Sequence, residues 1–337
     1  MRRSPMLSSM LICAFWVIPS YAGGTPPTST LKSNDEVLRG AIIHRTVEAA
    51  EKARAAGGVT NATGTSRLKY HGGTADGGAG RIGVETAPQI YLVLWGSQWN
   101  SRDPSGEAGI LQNFFNGMGG SSWLNSVTQY CQGVPTGTIT CGSSGQHAGN
   151  TVQKPNTMLA GVWYDNGSAA PSRPKQGQFA SEAIRAANHF GNTSAASNAS
   201  VQYVIATSTG HNASGFKSQY CAYHSSTTSS FGDIAYTNLP YITDAGPSCG
   251  ANFNGLGADA GITIVEGHEA AETITDQFPS TGWLDSAGAE NGDKCAWISS
   301  GQGAAANVTF SNGTFPVQSL WSNAFHSNTG GCVLSYP

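Results

Sequence analysis

The sequence predicts an α/β (α+β) fold: a layered sheet with backing helices, stabilised by disulfides. Three observations predict it. Apolar runs of strand length alternate with stretches of helical periodicity between residues 89 and 206. Six cysteines lie beyond Cys13, an even count. The chain has 44 glycines and only 11% charged residues, which describes many turns and a surface solvated by Ser, Thr, Asn and backbone. That charged fraction is less than half of the roughly 25% usual in soluble domains, an extracellular kind of composition. With 337 residues, 39% of them hydrophobic, the chain can bury a large core, and disorder driven by charge is excluded.

From the start of the chain, Arg2 and Arg3 precede an apolar run from Met6 through Ile18, and Ser20-Tyr21-Ala22 forms a small-x-small cleavage pattern. Residues 1–22 therefore read as a secretory signal peptide, with maturation at Gly23. The run is too short to span a bilayer, and no later stretch approaches the ~20 apolar residues of a transmembrane helix. The expected location is extracellular, with the periplasm as the alternative. Without residues 1–22 the chain keeps 15 basic against 20 acidic side chains, a net −5, which argues against nucleic acid and anionic membrane as partners.

Residues 23–67 read as a flexible Pro/Thr/Ser-rich stretch followed by a helix: Val37, Leu38, Ile42, Ile43, Val47 and Ala50 recur at helical spacing up to about Ala56. This part is either a pro-segment or an N-terminal brace, and residues 68–337 form one domain. Gln89–Trp95, Met158–Tyr164 and Val201–Ala206 have strand length and composition, whereas 106–117, 122–130 and 176–189 read as helices. A Ser-, Gly- and Asn-rich stretch from about 207 to 260 shows little periodicity. Among the 15 ways to join six cysteines, nearest neighbours give Cys131–Cys141, Cys221–Cys249 and Cys295–Cys332.

The chemistry concentrates in one place. Seven of the chain's few acids, Glu266, Glu269, Glu272, Asp276, Asp285, Glu290 and Asp293, fall within 28 positions. At 100° per residue, His268 and Glu272 share one helix face with Ile264 and Val265, so the pair turns inward and needs a partner, for which a cation suffices. His268-Glu-Ala-Ala-Glu272 is an H-E-x-x-E variant of the zincin H-E-x-x-H helix, in which two histidines one turn apart hold zinc and the intervening Glu is general base. Glu272 replaces the second His with a carboxylate, still a zinc ligand but a harder one that also admits calcium. Glu290 follows Glu272 by 18 positions, as a third ligand should, with Asp293 behind it; Asp276 and Asp285 are rivals. His71, His211, His224 and His326 are candidate proton donors in polar surroundings, with a solvated loop histidine as the plainer account. The tryptophans offer either a glycan groove or core. No G-x-S-x-G elbow supports an α/β-hydrolase.

Five segments, Tyr70-His-Gly-Gly73, Ile90–Gly96, Tyr220-Cys-Ala-Tyr-His224, His268–Asp276 and Glu290-Asn-Gly-Asp-Lys-Cys295, resemble a group of secreted bacterial proteins. More distantly they are similar to the plant EXORDIUM, or phosphate-induced, extracellular proteins, with a comparable H-E-x-x-E helix and a later E-x-x-D-x-C. The resemblance covers about 68–337, is strongest over 262–297, and departs from the plant pattern in the cysteine loop at 131–141. It implies a zincin-like, metallopeptidase-like core around a central H-E-x-x-E helix, with Glu290 and Asp293 as the preferred downstream ligands.

The expectation is a secreted metal-dependent peptidase that hydrolyses peptide bonds with a metal-activated water. His268, Glu272 and Glu290 or Asp293 are the ligands, Glu269 is the base, the cofactor is a divalent metal (zinc, or calcium), and the substrate is a polypeptide or cell-wall component. The alternative is a non-catalytic extracellular or cell-wall-associated binding protein of EXORDIUM type with a structural cation.

Overall fold

Buried β-branched and aromatic residues form the longest strands. A computed structural model describes residues 38, 40–55, 67–75, 81–149 and 157–335. The signal-peptide segment 1–22 lies outside the described residues. The sheet is built from β1 (Ile42–Arg45), β2 (Gln89–Trp95), β3 (Leu159–Asp165), β4 (Val201–Thr207), β5 (Tyr220–Ser229) and β6 (Gly232–Leu239), in the order β1-β5-β6-β4-β2-β3. The β6-β4-β2-β3 half is parallel, and β5 and β1 add to it antiparallel. All seven residues of β4 are buried, as expected for an interior parallel strand covered on both faces.

Helix α1 (Val47–Ala55) follows β1, α2 (Glu107–Met118) joins β2 to β3, α3 (Gln176–His189) joins β3 to β4, and α4 (Ala260–Thr275) follows the β5–β6 hairpin. Tyr223 packs edge-on against Phe179 of α3, while the adjacent His224 bonds Glu269 of α4. Successive side chains of a strand point to opposite faces, so α3 and α4 lie on opposite sides of the sheet, giving three layers. Helix α2 packs beside α4. No helix among the described residues is long and apolar enough to cross a membrane.

The mixed α/β architecture agrees with the sequence, and β2 and α3 have the predicted bounds. Residues 42–45 do not. They were expected to be helical, but they form the edge strand β1, because Ile42 and Ile43 pair with His224 and Tyr223 of β5. Nor is 207–260 loop throughout: the β5–β6 hairpin sits in the middle of the sheet. Its polar Ser and Thr residues obscure the alternation that marks a strand.

The three disulfides join nearest neighbours, Cys131–Cys141, Cys221–Cys249 and Cys295–Cys332. Cys221–Cys249 ties β5 to the segment entering α4. There Gly261 passes so close to the Cys249 carbonyl that no Cβ fits. The bond closes a span of 28 residues, so replacing both cysteines with Ala should cost about 3.6 kcal/mol by the loop-entropy relation. Urea unfolding of oxidised protein against the double variant measures it, and an unchanged midpoint would contradict the assignment.

Candidate metal centre

Helix α4 is not amphipathic. Every residue from Ala260 to Thr275 is buried, so its polar side chains must find partners inside the protein. Glu266, His268, Glu269 and Glu272 are all 0% exposed. Three other segments meet them: β5 brings His224, β1 brings His44, and the loop after α4 brings Glu290 and Asp293.

His268 Nε2 lies 3.1 Å from Glu272 Oε2 and 4.0 Å from Asp293 Oδ1. Ligand atoms held about 2.1 Å from one tetrahedral ion lie roughly 3.4 Å apart, so these separations bracket what a cation needs. On the other side of Glu272, His224 Nδ1 is 2.9 Å from Glu269 Oε2 and 3.7 Å from Glu272 Oε2, and its Nε2 is 3.3 Å from Glu290 Oε2. Three overlapping groups each bring their ligand atoms within 4.8 Å of one another: His268–Glu272–Asp293, His224–Glu269–Glu272 and His44–His268–Glu269. These buried His and Glu groups can hold a metal ion.

The unused valences support the fit. His268 Nε2, His224 Nε2, Glu272 Oε2 and both oxygens of Glu290 are buried without an aligned hydrogen bond. Buried polar atoms in native proteins are nearly always satisfied, so this concentration at one place is what a cation would relieve. The surrounding bonds are set for it. His268 Nδ1 lies 3.3 Å from Gln318 Oε1, whose own amide nitrogen is anchored on Gly292 O at 2.8 Å. In the neutral ring that bond places the hydrogen on Nδ1 and leaves the Nε2 lone pair facing Glu272 and Asp293. The Asp293 backbone N–H donates to Glu272 Oε1 at 2.8 Å, which leaves Oε2 for the centre.

The electrostatics describe a site crowded with negative charge. Burial pulls His268 down, but the Glu272 carboxylate, through its charge and hydrogen bond, together with the charges of Glu269 and Asp293 outweighs it and lifts the imidazole to about 9. Burial and the same carboxylate push Asp293 up to about 7. Glu290 is raised well above the carboxylate range, first by burial and then by the charges of Glu272 and Asp276. Burial also raises Glu269, against the pull of its bond from His224. Of these carboxylates Glu272 alone ends below the usual value: burial raises it, but the charge and hydrogen bond of His268, the charge of His224 and a bond from Glu290 together outweigh burial. Burial, and then the charge of Glu269, raises Glu266, neither of whose oxygens is bonded, well above the carboxylate range.

Of the residues singled out from the sequence, His268, Glu269, Glu272, Glu290 and Asp293 thus come together. Asp293 completes a ligand trio with His268 and Glu272, whereas Glu290 faces His224. The two rivals are employed elsewhere. Asp276 accepts the backbone amides of Ser280, Thr281 and Gly282, and Asp285 pairs with Lys294 Nζ at 3.0 Å while accepting the amides of Ala287 and Ala289. His224 is not a solvated loop histidine: it is 0% exposed on β5. The sequence offered it only as a candidate proton donor and as the last residue of the Tyr220-Cys-Ala-Tyr-His224 block, with nothing to place it beside Glu269. His44 had none, lying in what reads as a helix, yet its ring stacks on His268 with centroids 3.9 Å apart and planes 2° from parallel. Trp123, Trp283, Trp297 and Trp321 are core, which removes them from any glycan groove.

Gly292 shows how tight the packing is. A Cβ there would lie 2.7 Å from His268 Nδ1 and 2.9 Å from Glu272 Oε1. Gly292→Ala should therefore displace both groups and weaken metal binding by about 10- to 100-fold, as loss of an orienting contact does. Competition with a chromophoric chelator measures it, and unchanged affinity would show that the two side chains do not act as ligands. Compared with protein-family models, curated proteins and solved structures, the chain has no match.

Proposed function

We propose that this chain is a secreted, zinc-dependent peptidase with a zincin-like centre, in which His268, Glu272 and Asp293 hold the cation and Glu269 is the general base. The observation that carries the reading is the meeting of a His–carboxylate–carboxylate trio with a third carboxylate, Glu269, held beside it. The donor set favours zinc over calcium, because an imidazole nitrogen suits zinc whereas calcium takes oxygen ligands throughout. Bound there, a divalent cation supplies a Lewis acid that lowers the pKa of water. Glu269 is oriented by His224 Nδ1–H on Oε2, and while β1 covers the centre its Oε1 also accepts from the His44 backbone N–H at 3.3 Å. So placed, it can take a proton from water and return it to the leaving amine. Three disulfides and the absence of a membrane-length helix among the described residues are consistent with an extracellular setting.

A second reading, a cell-wall-associated binding protein of EXORDIUM type with a structural cation, is favoured by one observation: the whole trio is shielded, with Asp293 the most open member at 18% side-chain exposure. Elemental analysis of purified protein, followed by casein hydrolysis with and without chelator, separates the two. Stoichiometric zinc with chelator-sensitive hydrolysis, restored by added zinc, is the expected result. Metal without hydrolysis, both in the intact chain and after removal of the N-terminal strand that covers the centre, would favour the binder, and no metal at all would remove both.

A further inference from the structure

The catalytic reading leaves a physical difficulty, since a peptide cannot reach groups that are 0% exposed. What covers them is a particular piece of the chain. Strand β1 occupies the outer edge of β5, paired antiparallel through Ile42–His224, Ile43–Tyr223, His44–Ala222 and Arg45–Tyr220. It therefore lies as an extended polypeptide along the strand that carries His224. Its central residue makes the closest approach to the candidate centre: the His44 ring lies flat on His268, and its backbone N–H donates to Glu269. His44 also brings a ring nitrogen within 4.8 Å of ligand atoms on His268 and Glu269, so this strand offers a donor of its own to the ion.

The hold on this segment is local. Trp297 stacks on the other side of His44 at 4.8 Å, and its indole N–H bonds Arg45 O at 2.8 Å. The Arg54 guanidinium at the end of α1 donates to Ala296 O and Trp297 O at 2.6 and 3.1 Å. Beyond these, Ala50 is the one fully buried residue of α1. Ala41, Ile43, His44 and Thr46 are buried as well, and Ser225 Oγ donates to Gly40 O at 3.0 Å, so the segment is seated in the core along β1 and held more lightly along α1.

From this arrangement we infer that the β5 edge over Tyr220–His224 is the acceptor for an extended peptide backbone, added as an antiparallel strand, and that residues 40–55 occupy it as a built-in pseudosubstrate that keeps the centre closed. Strand addition explains how a site with few side-chain pockets would take a polypeptide: the open N–H and C=O groups of β5 supply the affinity. The segment Ala56-Gly-Gly-Val-Thr-Asn-Ala-Thr-Gly-Thr-Ser-Arg67 connects α1 to the rest of the chain. Hydrolysis of one peptide bond there would make β1 and α1 a separate piece, released in a reversible dissociation whose rebinding is bimolecular. The inference rests on the peptidase reading for its consequence and on the sheet geometry for its substance.

The test inserts a site-specific protease sequence between Ala55 and Arg67 of the full chain, cuts it, and removes the N-terminal piece by gel filtration in mild urea. The expected product is folded and takes up one synthetic 38–55 peptide per chain, followed by Trp297 fluorescence. The same peptide with His44→Ala should bind at least tenfold more weakly. Casein hydrolysis should rise at least tenfold on removal of the piece and be inhibited competitively by the added peptide. Peptide binding without hydrolysis would support the strand-acceptor edge and defeat the peptidase reading. Hydrolysis at the same rate before and after cutting, or unaffected by the peptide, would overturn the inference. Unfolding on removal would also overturn it by making β1 an ordinary structural strand. In the uncut protein, amide exchange at Ile42–Arg45 should open at lower free energy than at Val201–Thr207, and opening of both only by global unfolding counts against the proposal.

Discussion

On the peptidase reading, Glu269→Gln is expected to lower peptide-bond turnover by about a thousandfold while the protein stays folded and binds the cation as before, within the range that loss of a positioned general base produces. The substitution is gentle on the structure for a stated reason. Glu269 accepts from His224 Nδ1 and from the His44 amide. A glutamine can keep its carbonyl oxygen on the His44 amide and turn its NH₂ to His224, which accepts in its other tautomer. His268→Ala, in contrast, removes a ligand and the ring on which His44 stacks, and should lose both metal and activity. Metal content by elemental analysis and turnover on casein distinguish the two variants. A Glu269→Gln protein with normal turnover would dismiss the base. A His268→Ala protein with normal metal would dismiss the site.

Stripping the cation destabilises the protein increasingly as pH rises from about 6 to 9. In the empty site His268 is raised from 6.5 to about 9 and Asp293 from 3.8 to about 7. Both shifts are upward, so the folded empty protein holds protons that the unfolded chain has released. Their stabilising contribution is complete below the unfolded values and disappears as pH passes the folded ones. The window is 6.5–9 for His268 and 3.8–7 for Asp293, and for the histidine alone the loss is on the order of 3 kcal/mol. Glu272 shifts the other way, which matters only below its ordinary value near 4.5. The loaded protein behaves oppositely, because a cation must displace those protons and binds more tightly once they have left. At a thousandfold excess over its dissociation constant it adds about 4 kcal/mol. The gap in Tm with and without chelator should therefore widen between pH 6 and pH 9. A constant gap, or a chelated protein most stable at pH 9, would contradict the charge arrangement described above.

Local pattern carried much of this protein. The apolar run Gln89–Trp95 could only be a buried strand, the periodicity of Gln176–His189 only a helix, and short cysteine separations favoured the pairing found. H-E-x-x-E and the crowding of acids between Glu266 and Asp293 identified the chemical centre, because spacing on one helix and its following loop is written in consecutive residues. What the sequence alone determined is thus the class of fold and one half of the site; the disulfide pairing it favoured among 15 possibilities, and the structure fixed it. The other half was decided by tertiary structure. His224 arrives through a hairpin whose Ser and Thr residues mask its alternation, and His44 through a strand that reads as helix until β5 pairs with it. Strand pairing is a property of two distant segments, 225 positions apart for His44 and Glu269. Only the folded sheet brings their side chains to one point and shows that the chain's own N-terminal strand lies across it.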